Sequence, residues 1–147
     1  MSSDPFRPQK PSHITSVTEG LCALTATEAV ARLRAGEVTA AELVEASIAR
    51  IEEVDPKVNA LPIPCFDRAR DMARKLRPED HADNPKSLCG LPIAVKDYND
   101  VGGVRTTYGS PIFAQSVAAQ SDATVRQLER NGAIPMAKSN VPEWAGG

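Results

Sequence analysis

Two helix starts in quick succession constrain this chain most. Thr25-x-x-Glu28 and Thr39-x-x-Glu42 each have the form of a capping box. In such a box the threonine hydroxyl accepts an early helical amide and the glutamate reaches back to the cap's own N–H. After the first box, Ala26, Ala29, Val30 and Leu33 fall on one face, and Gly36 supplies a C-terminal stop. After the second, Leu43, Val44, Ile48 and Ile51 share a side, and the helix is expected to end near Asp55-Pro56. Two amphipathic helices joined by so short a link predict a helical hairpin.

The segments that follow alternate. Val58 to Cys65 is apolar, but Pro62 and Pro64 restrict it to an edge strand or an irregular segment. Phe66, Ala69, Ala73 and Leu76 mark a third helix, and its other face (Asp67, Arg68, Arg70, Asp71, Arg74, Lys75) reads as solvated surface. Residues 77–89 are polar and read as a surface loop. Leu91 to Lys96 is the clearest strand. Ser121 or Asp122 caps a fourth helix with Val125 and Leu128 inward and Gly132 at its end. Ala133 to Ala137 reads as a further strand despite Pro135. Asn140-x-x-Glu143, with Pro142 between, looks like one more helix start. A strand, a helix and a strand in that order predict an α/β unit with a crossover connection, and the two N-terminal helices pack outside the sheet. Residues 1–20 are rich in Pro, Ser and Thr without periodicity and read as a flexible arm, leaving 21–147 as the folded part.

Composition narrows the partners. A chain of 147 residues fits one domain and can bury roughly 70% of its unfolded surface. With 4% aromatic residues, its core rests on Ala, Val, Leu and Ile. The net charge of -2 gives no electrostatic reason to expect nucleic acid or an anionic membrane. No apolar run approaches the ~20 residues of a membrane span, and Met1 to Pro11 lacks the apolar core of a signal peptide. Cys22, Cys65 and Cys89 are odd in number and far apart, which reads as three free packing thiols in a reducing, cytoplasmic compartment. Metal-ligand spacing, a P-loop and a G-x-G-x-x-G are all absent, so neither a metal nor a cofactor is expected. His13 and His81 lie in loop-like stretches and are expected to face solvent.

The chemistry centres on Lys96, which ends the run Leu91-Pro92-Ile93-Ala94-Val95. Taken by spacing alone, it reads more readily as a surface or salt-bridged cation than as a base. A base role needs a neutral amine, a fall of about 3 units from the usual lysine value, or roughly 4 kcal/mol of environment. Burial at a strand end is the expected source. Asp97 and Asp100 could form a carboxylate pair, although turn and hydrogen-bonding roles around Gly102-Gly103 are the simpler reading. Thr106, Thr107, Gly109 and Ser110 bring three hydroxyls and a flexible position, with no histidine near Ser110 in sequence. Ile93-Ala94-Val95-Lys96 also has the look of a kinase strand lysine, but no glycine-rich loop precedes it and no catalytic Asp/Asn loop follows.

Set together, these phrases resemble a known family. Gly90-Leu-Pro-Ile-Ala-Val-Lys96-Asp97, then Asp100-Val-Gly-Gly, then Thr106-Thr107-Tyr108-Gly109-Ser110 is similar to the N-terminal part of the amidase signature family. The likeness continues through Asp122-Ala-Thr-Val, Asn131-Gly-Ala-Ile and Lys138-Ser139-Asn140-Val-Pro-Glu143-Trp144, and takes in Thr39-x-x-Glu42 and Asp55-Pro56-x-Val-Asn-Ala. The resemblance implies an α/β fold, a mixed β-sheet flanked by helices, of which this chain is the N-terminal, truncated portion. It implies hydrolysis of amide bonds by a serine, a cis-configured serine and a lysine. Lys96 stands at the family's lysine, and Asp97, Asp100, Thr106, Thr107, Gly109 and Ser110 support the site. It also implies a Gly/Ser-rich stretch carrying both serines, and none of Ser87, Ser110, Ser116, Ser121 or Ser139 sits in one.

The chain alone is therefore expected to be inactive, to expose a sheet edge, and to form a homo-oligomer or pair with a complementing C-terminal chain. The default substrate is a small soluble amide. Such an N-terminal piece is expected as a cleaved chain or a truncated gene product; the alternative is a non-catalytic remnant or interaction module that self-associates or binds a complementing chain.

Overall fold

A computed structural model describes residues 20–81 and 83–146. The flexible arm expected over residues 1–20, and with it His13, lies almost wholly outside them. The order of elements is α1 (Ala26–Ala35), α2 (Ala40–Val58), β1 (Ile63–Pro64), α3 (Phe66–Lys75), β2 (Pro92–Lys96), α4 (Ala123–Arg130) and β3 (Ile134–Ser139). Short 3-10 turns stand at Pro78–Asp80, Pro111–Phe113 and Glu143–Ala145.

Both capping boxes form in full. The Thr39 hydroxyl accepts from Glu42 N–H at 3.1 Å, and the Glu42 carboxylate accepts from Thr39 N–H at 2.8 Å. Thr25 and Glu28 repeat the arrangement, and Gly36 closes α1 in the left-handed region at φ 70. The bond from the cap's backbone N–H, followed by that from its hydroxyl, holds both carboxyls below the usual glutamate range. A folded value below the unfolded one means a stabilising contribution that is complete above the unfolded value, about 4.3, and fades as pH falls through the folded one. Acidification from about pH 6 to about pH 3 is expected to lower the urea midpoint less in Glu42→Gln than in the parent chain, measured by far-ultraviolet circular dichroism.

The second helix does not stop at Pro56. It runs to Val58, where Asn59 takes φ 51 and its N–H donates to the Asp55 carbonyl at 2.7 Å. The Asp55 carboxylate takes the next two amides, those of Ala60 and Leu61, at 2.7 and 3.0 Å. A proline lacks an N–H and crowds the preceding turn; in the final turn, these caps satisfy the chain around it.

The sheet has three strands in the order β1-β3-β2. β2 and β3 are parallel and joined through α4, the crossover unit expected. β1 is a two-residue antiparallel edge, in keeping with Pro64 inside it and Pro62 just before it. Pro135 lies inside the central strand. It is tolerated there because the ladder shifts register between Ile93 and Ala94, an irregularity of the kind where a missing N–H costs little.

One buried cluster joins Ala29, Leu33, Leu43, Val44, Ile48, Ala69 and Ala73 of the three N-terminal helices to Ile134 and Met136 of β3. A second joins Ile63, Val95, Val101, Val104 and Val125. Leu128, expected inward beside Val125, is 36% exposed, so α4 buries a narrower stripe than its sequence suggests.

Three further expectations change. The fourth helix ends on Asn131 rather than Gly132. Residues 77–89 form a surface loop only in part, because Ser87 and Cys89 are buried, and His81 is half-buried, with Nδ1 2.9 Å from the Ser87 hydroxyl. Asn140-x-x-Glu143 starts only a 3-10 turn, Glu143–Ala145, with no side-chain cap. The Asn140 amide donates to the Asn59 carbonyl at 2.8 Å, tying the end of β3 to the end of α2, and Glu143 is engaged by Ser110. Among the described residues no helix is long and apolar enough to cross a membrane.

Candidate active site

Lys96 closes β2, level with Ser139 of β3. Its carbonyl accepts from Asn99 N–H at 2.9 Å, which turns the chain back on itself. Its side chain is exposed, with the ammonium 5.4 Å from the centre of the Tyr98 ring. The burial expected to free this amine of its proton is thus not supplied by these residues. The strand end explains why. β2 has β3 on one side and, among the described residues, no strand on the other.

Asp97 points the opposite way, since neighbouring side chains of a strand alternate. It is 3% exposed and fully engaged. One carboxylate oxygen accepts from the Lys138 ammonium at 2.8 Å. The other accepts from Thr107 N–H at 3.1 Å and, by a short bond, from the Thr107 hydroxyl. The Lys138 ammonium, wholly buried, also donates to the Thr106 hydroxyl at 2.8 Å. The backbone repeats the pattern: Asp97 N–H donates to the Ser139 carbonyl at 3.1 Å, and the Asp97 carbonyl accepts from Tyr108 N–H at 3.0 Å. Burying two charges costs several kcal/mol per ion unless geometry and further hydrogen bonds offset it. Here no buried side-chain nitrogen or oxygen lacks a partner among the described residues.

The remaining site residues form a second network. The Asp100 carboxylate accepts from the Tyr108 hydroxyl at 3.2 Å, and burial, then the Asp100 charge, pushes that phenol above its usual range. Asp97 and Asp100 accept from different partners, in the hydrogen-bonding roles of the simpler reading. Of the two candidate caps of α4, Asp122 does stand at the N-cap, but its side chain, like that of Ser121, serves this loop. The Asp122 carboxylate takes Asp100 N–H at 3.0 Å and the Asn99 amide at 3.2 Å, and the Ser121 hydroxyl takes Gly102 N–H at 2.9 Å.

Ser110 is 2% exposed and donates to Glu143 at 2.7 Å. Gly109 is irreplaceable there: φ is 69, and a β-carbon would stand 2.6 Å from the Val141 carbonyl oxygen. Tyr108 and Trp144 stack at 6.1 Å between ring centres, and Phe113 meets both rings edge to face at 5.2 and 5.3 Å.

A pocket of about 310 Å³ opens beside this network, lined by Asp97, Arg105, Thr107, Gly109, Ser110 and Asn140 among others. A larger one, about 610 Å³, lies between α1, α2 and the 76–89 segment and contains none of the expected site residues. No group of three or more metal-binding side chains occurs among the described residues. The three cysteines are free, and burial raises the Cys65 thiol above its usual range, against the pull of Arg68, which makes it a poor nucleophile.

The structure thus brings Asp97, Thr106 and Thr107 together, joins Ser110 to a separate partner, and leaves Lys96 apart. The residue that sequence reasoning missed is Lys138. Its position inside an otherwise apolar strand, Ile134-Pro-Met-Ala-Lys138, is the signal that could have singled it out.

Comparison with known proteins adds to this geometry. The family model described as Amidase matches residues 42–147. Over 128 residues the chain is 39% identical to a glutamyl-tRNA(Gln) amidotransferase subunit from Anaeromyxobacter dehalogenans, covering 86% of this chain and 26% of that protein. Among solved structures, an amidase family protein from Bacillus anthracis superposes with a TM-score of 0.74 at 28% identity, over 88% of this chain and 26% of that one. The peptide amidase from Stenotrophomonas maltophilia does so with a TM-score of 0.71 at 27% identity, over 83% and 26%. The chain spans about a quarter of the length of the relatives it matches.

Proposed function

The chain belongs to the amidase family, and from that premise we propose that it contributes the lysine of a serine–cis-serine–lysine amide hydrolase, with Lys96 as the proton-handling group. One observation carries this choice of lysine. Lys138 is wholly buried and committed to Asp97 and Thr106, each at 2.8 Å, so its amine cannot reach a hydroxyl brought from elsewhere. Lys96 sits at the strand end with no carboxylate bonded to it among the described residues, so its amine is free to face a hydroxyl brought from elsewhere.

In this reading Lys96 takes a proton from the cis serine, which takes one from the nucleophilic serine. The serine oxygen bonds to the amide carbon, and backbone amides of a Gly/Ser-rich loop hold the oxyanion. The carbon–nitrogen bond breaks as the amine leaves with a proton, and water then releases the acid. Both serines belong to the part of the domain that this chain does not match. Asp97, Asp100, Thr106, Thr107, Gly109 and Ser110 shape the lysine's surroundings without transferring protons. The substrate is a small soluble amide. The amidotransferase relative is one subunit of its enzyme, which supports a chain that works with a partner, and the three free cysteines support a reducing, cytoplasmic setting.

The test is complementation. The purified chain alone is expected to show no turnover of aliphatic or aryl amides. Mixing it with a separately produced chain that supplies the rest of the domain is expected to restore turnover. Hydrolysis by the chain alone refutes its dependence on a complement. An inert mixture of two folded halves refutes the hydrolase reading and favours a remnant that serves as an interaction module.

A further inference from the structure

We infer that Lys138 is a positioning residue for Lys96: it compensates the buried charge of Asp97, so that Asp97 can anchor the strand end without holding Lys96 as an ammonium. The inference rests on the proposed role of Lys96. Its physical basis is the contrast between adjacent residues. Asp97 is held through its N–H, its carbonyl and both carboxylate oxygens, by β3 and by the 106–108 segment. Lys96, one residue earlier, has an exposed side chain whose ammonium stands over the Tyr98 ring. The backbone at position 96 is thereby fixed while the amine stays free.

An anchor of this kind needs an acceptor that can serve Thr107 twice, which a carboxylate does. A carboxylate next to a working base also carries a cost, because a negative charge in a poorly solvated setting stabilises the protonated amine. Lys138 removes that cost. Its ammonium is 0% exposed and lies 2.8 Å from Asp97, so the pair is close to neutral as seen from Lys96. Apolar residues at both 97 and 138 could fill the same space, since a buried ion pair is seldom superior to hydrophobic packing for stability alone. The other titratable groups near Lys96 or in this network are Tyr98, Asp100, Tyr108 and Asp122, with Cys65 on the Lys138 side, and none of them bonds to Lys138.

The experiment is a titration of the Lys96 amine in the 147-residue chain, carrying isotope-labelled lysine and followed by nuclear magnetic resonance, with the signal assigned through Lys96→Arg. Two single variants remove opposite charges. Lys138→Met is expected to raise the Lys96 midpoint and Asp97→Asn to lower it, each by about half a pH unit or more, roughly threefold in the protonation equilibrium. The double variant Asp97→Asn/Lys138→Met buries no charge and is expected to return the midpoint close to that of the parent. It also keeps the test readable if a single variant does not fold. A purely structural role for Lys138 would not move Lys96 in opposite directions. An unmoved midpoint in a folded single variant, or a double variant displaced as far as a single one, overturns the inference. The role of Lys96 itself stands or falls separately, on loss of amide turnover in Lys96→Ala.

Discussion

Replacing Lys96 by alanine is expected to cut amide turnover of the complemented enzyme by about 10³-fold or more, while leaving the fold intact. The two halves of that expectation come from different facts. The side chain is exposed at the end of β2, and substitutions at such positions usually change stability by no more than about 0.5 kcal/mol. The contact with the Tyr98 ring is of the exposed cation–π kind, worth roughly 0.5–1 kcal/mol. The catalytic loss is far larger because members of a triad act as a unit. Lys96→Arg is expected to rescue nothing, since a guanidinium does not deprotonate in a protein. The measurement is kcat/KM beside a thermal melt. A rate within tenfold of the parent, with an unchanged melt, would assign the proton transfer to another group.

Lys138→Met carries the largest expected effect on stability. The ammonium is fully buried between Asp97 and Thr106, each at 2.8 Å. Methionine fills much of the space but leaves the Asp97 carboxylate buried without its cation. Breaking one side of such a pair typically costs about 3–5 kcal/mol, a large share of the roughly 5–15 kcal/mol that holds a domain folded. By contrast, Arg50→Ala, which breaks the ion pair with Glu53 on the surface of α2, is expected to cost no more than about 1 kcal/mol. Urea unfolding of the two variants side by side checks the ratio. A Lys138→Met chain as stable as Arg50→Ala would mean that Asp97 finds another partner.

The elements visible in the sequence are those governed by neighbours along the chain. Each capping box is a contact between residues three apart, so Thr25, Glu28, Thr39 and Glu42 declare two helix starts without knowledge of anything else. The prolines at 62 and 64 declare the edge strand Ile63–Pro64 for a similar reason. Leu128 and Pro56 show where this reasoning stops. Whether Leu128 is inward depends on what covers α4, and whether Pro56 ends a helix depends on how the following amides are satisfied by Asp55.

For the site, motif order alone marks Lys96 and the residues from Asp97 to Ser110, and residues 42–147 do match the amidase family. Sequence proximity leaves open whether Asp97 and Asp100 act as a pair, and it makes Asn140-x-x-Glu143 look like a helix start. Asp97 and Asp100 take separate hydrogen-bonding partners, while Asn140 bonds to Asn59 and Glu143 to Ser110. Local order thus determined where helices begin, which strand stands at an edge, and which lysine ends β2. Only the tertiary structure decided that Asp97 belongs to Lys138, 41 residues away, while Lys96 stays clear of that pair. The physical reason is that a buried charge must find its partner in space, and a parallel crossover brings together residues that no local pattern connects.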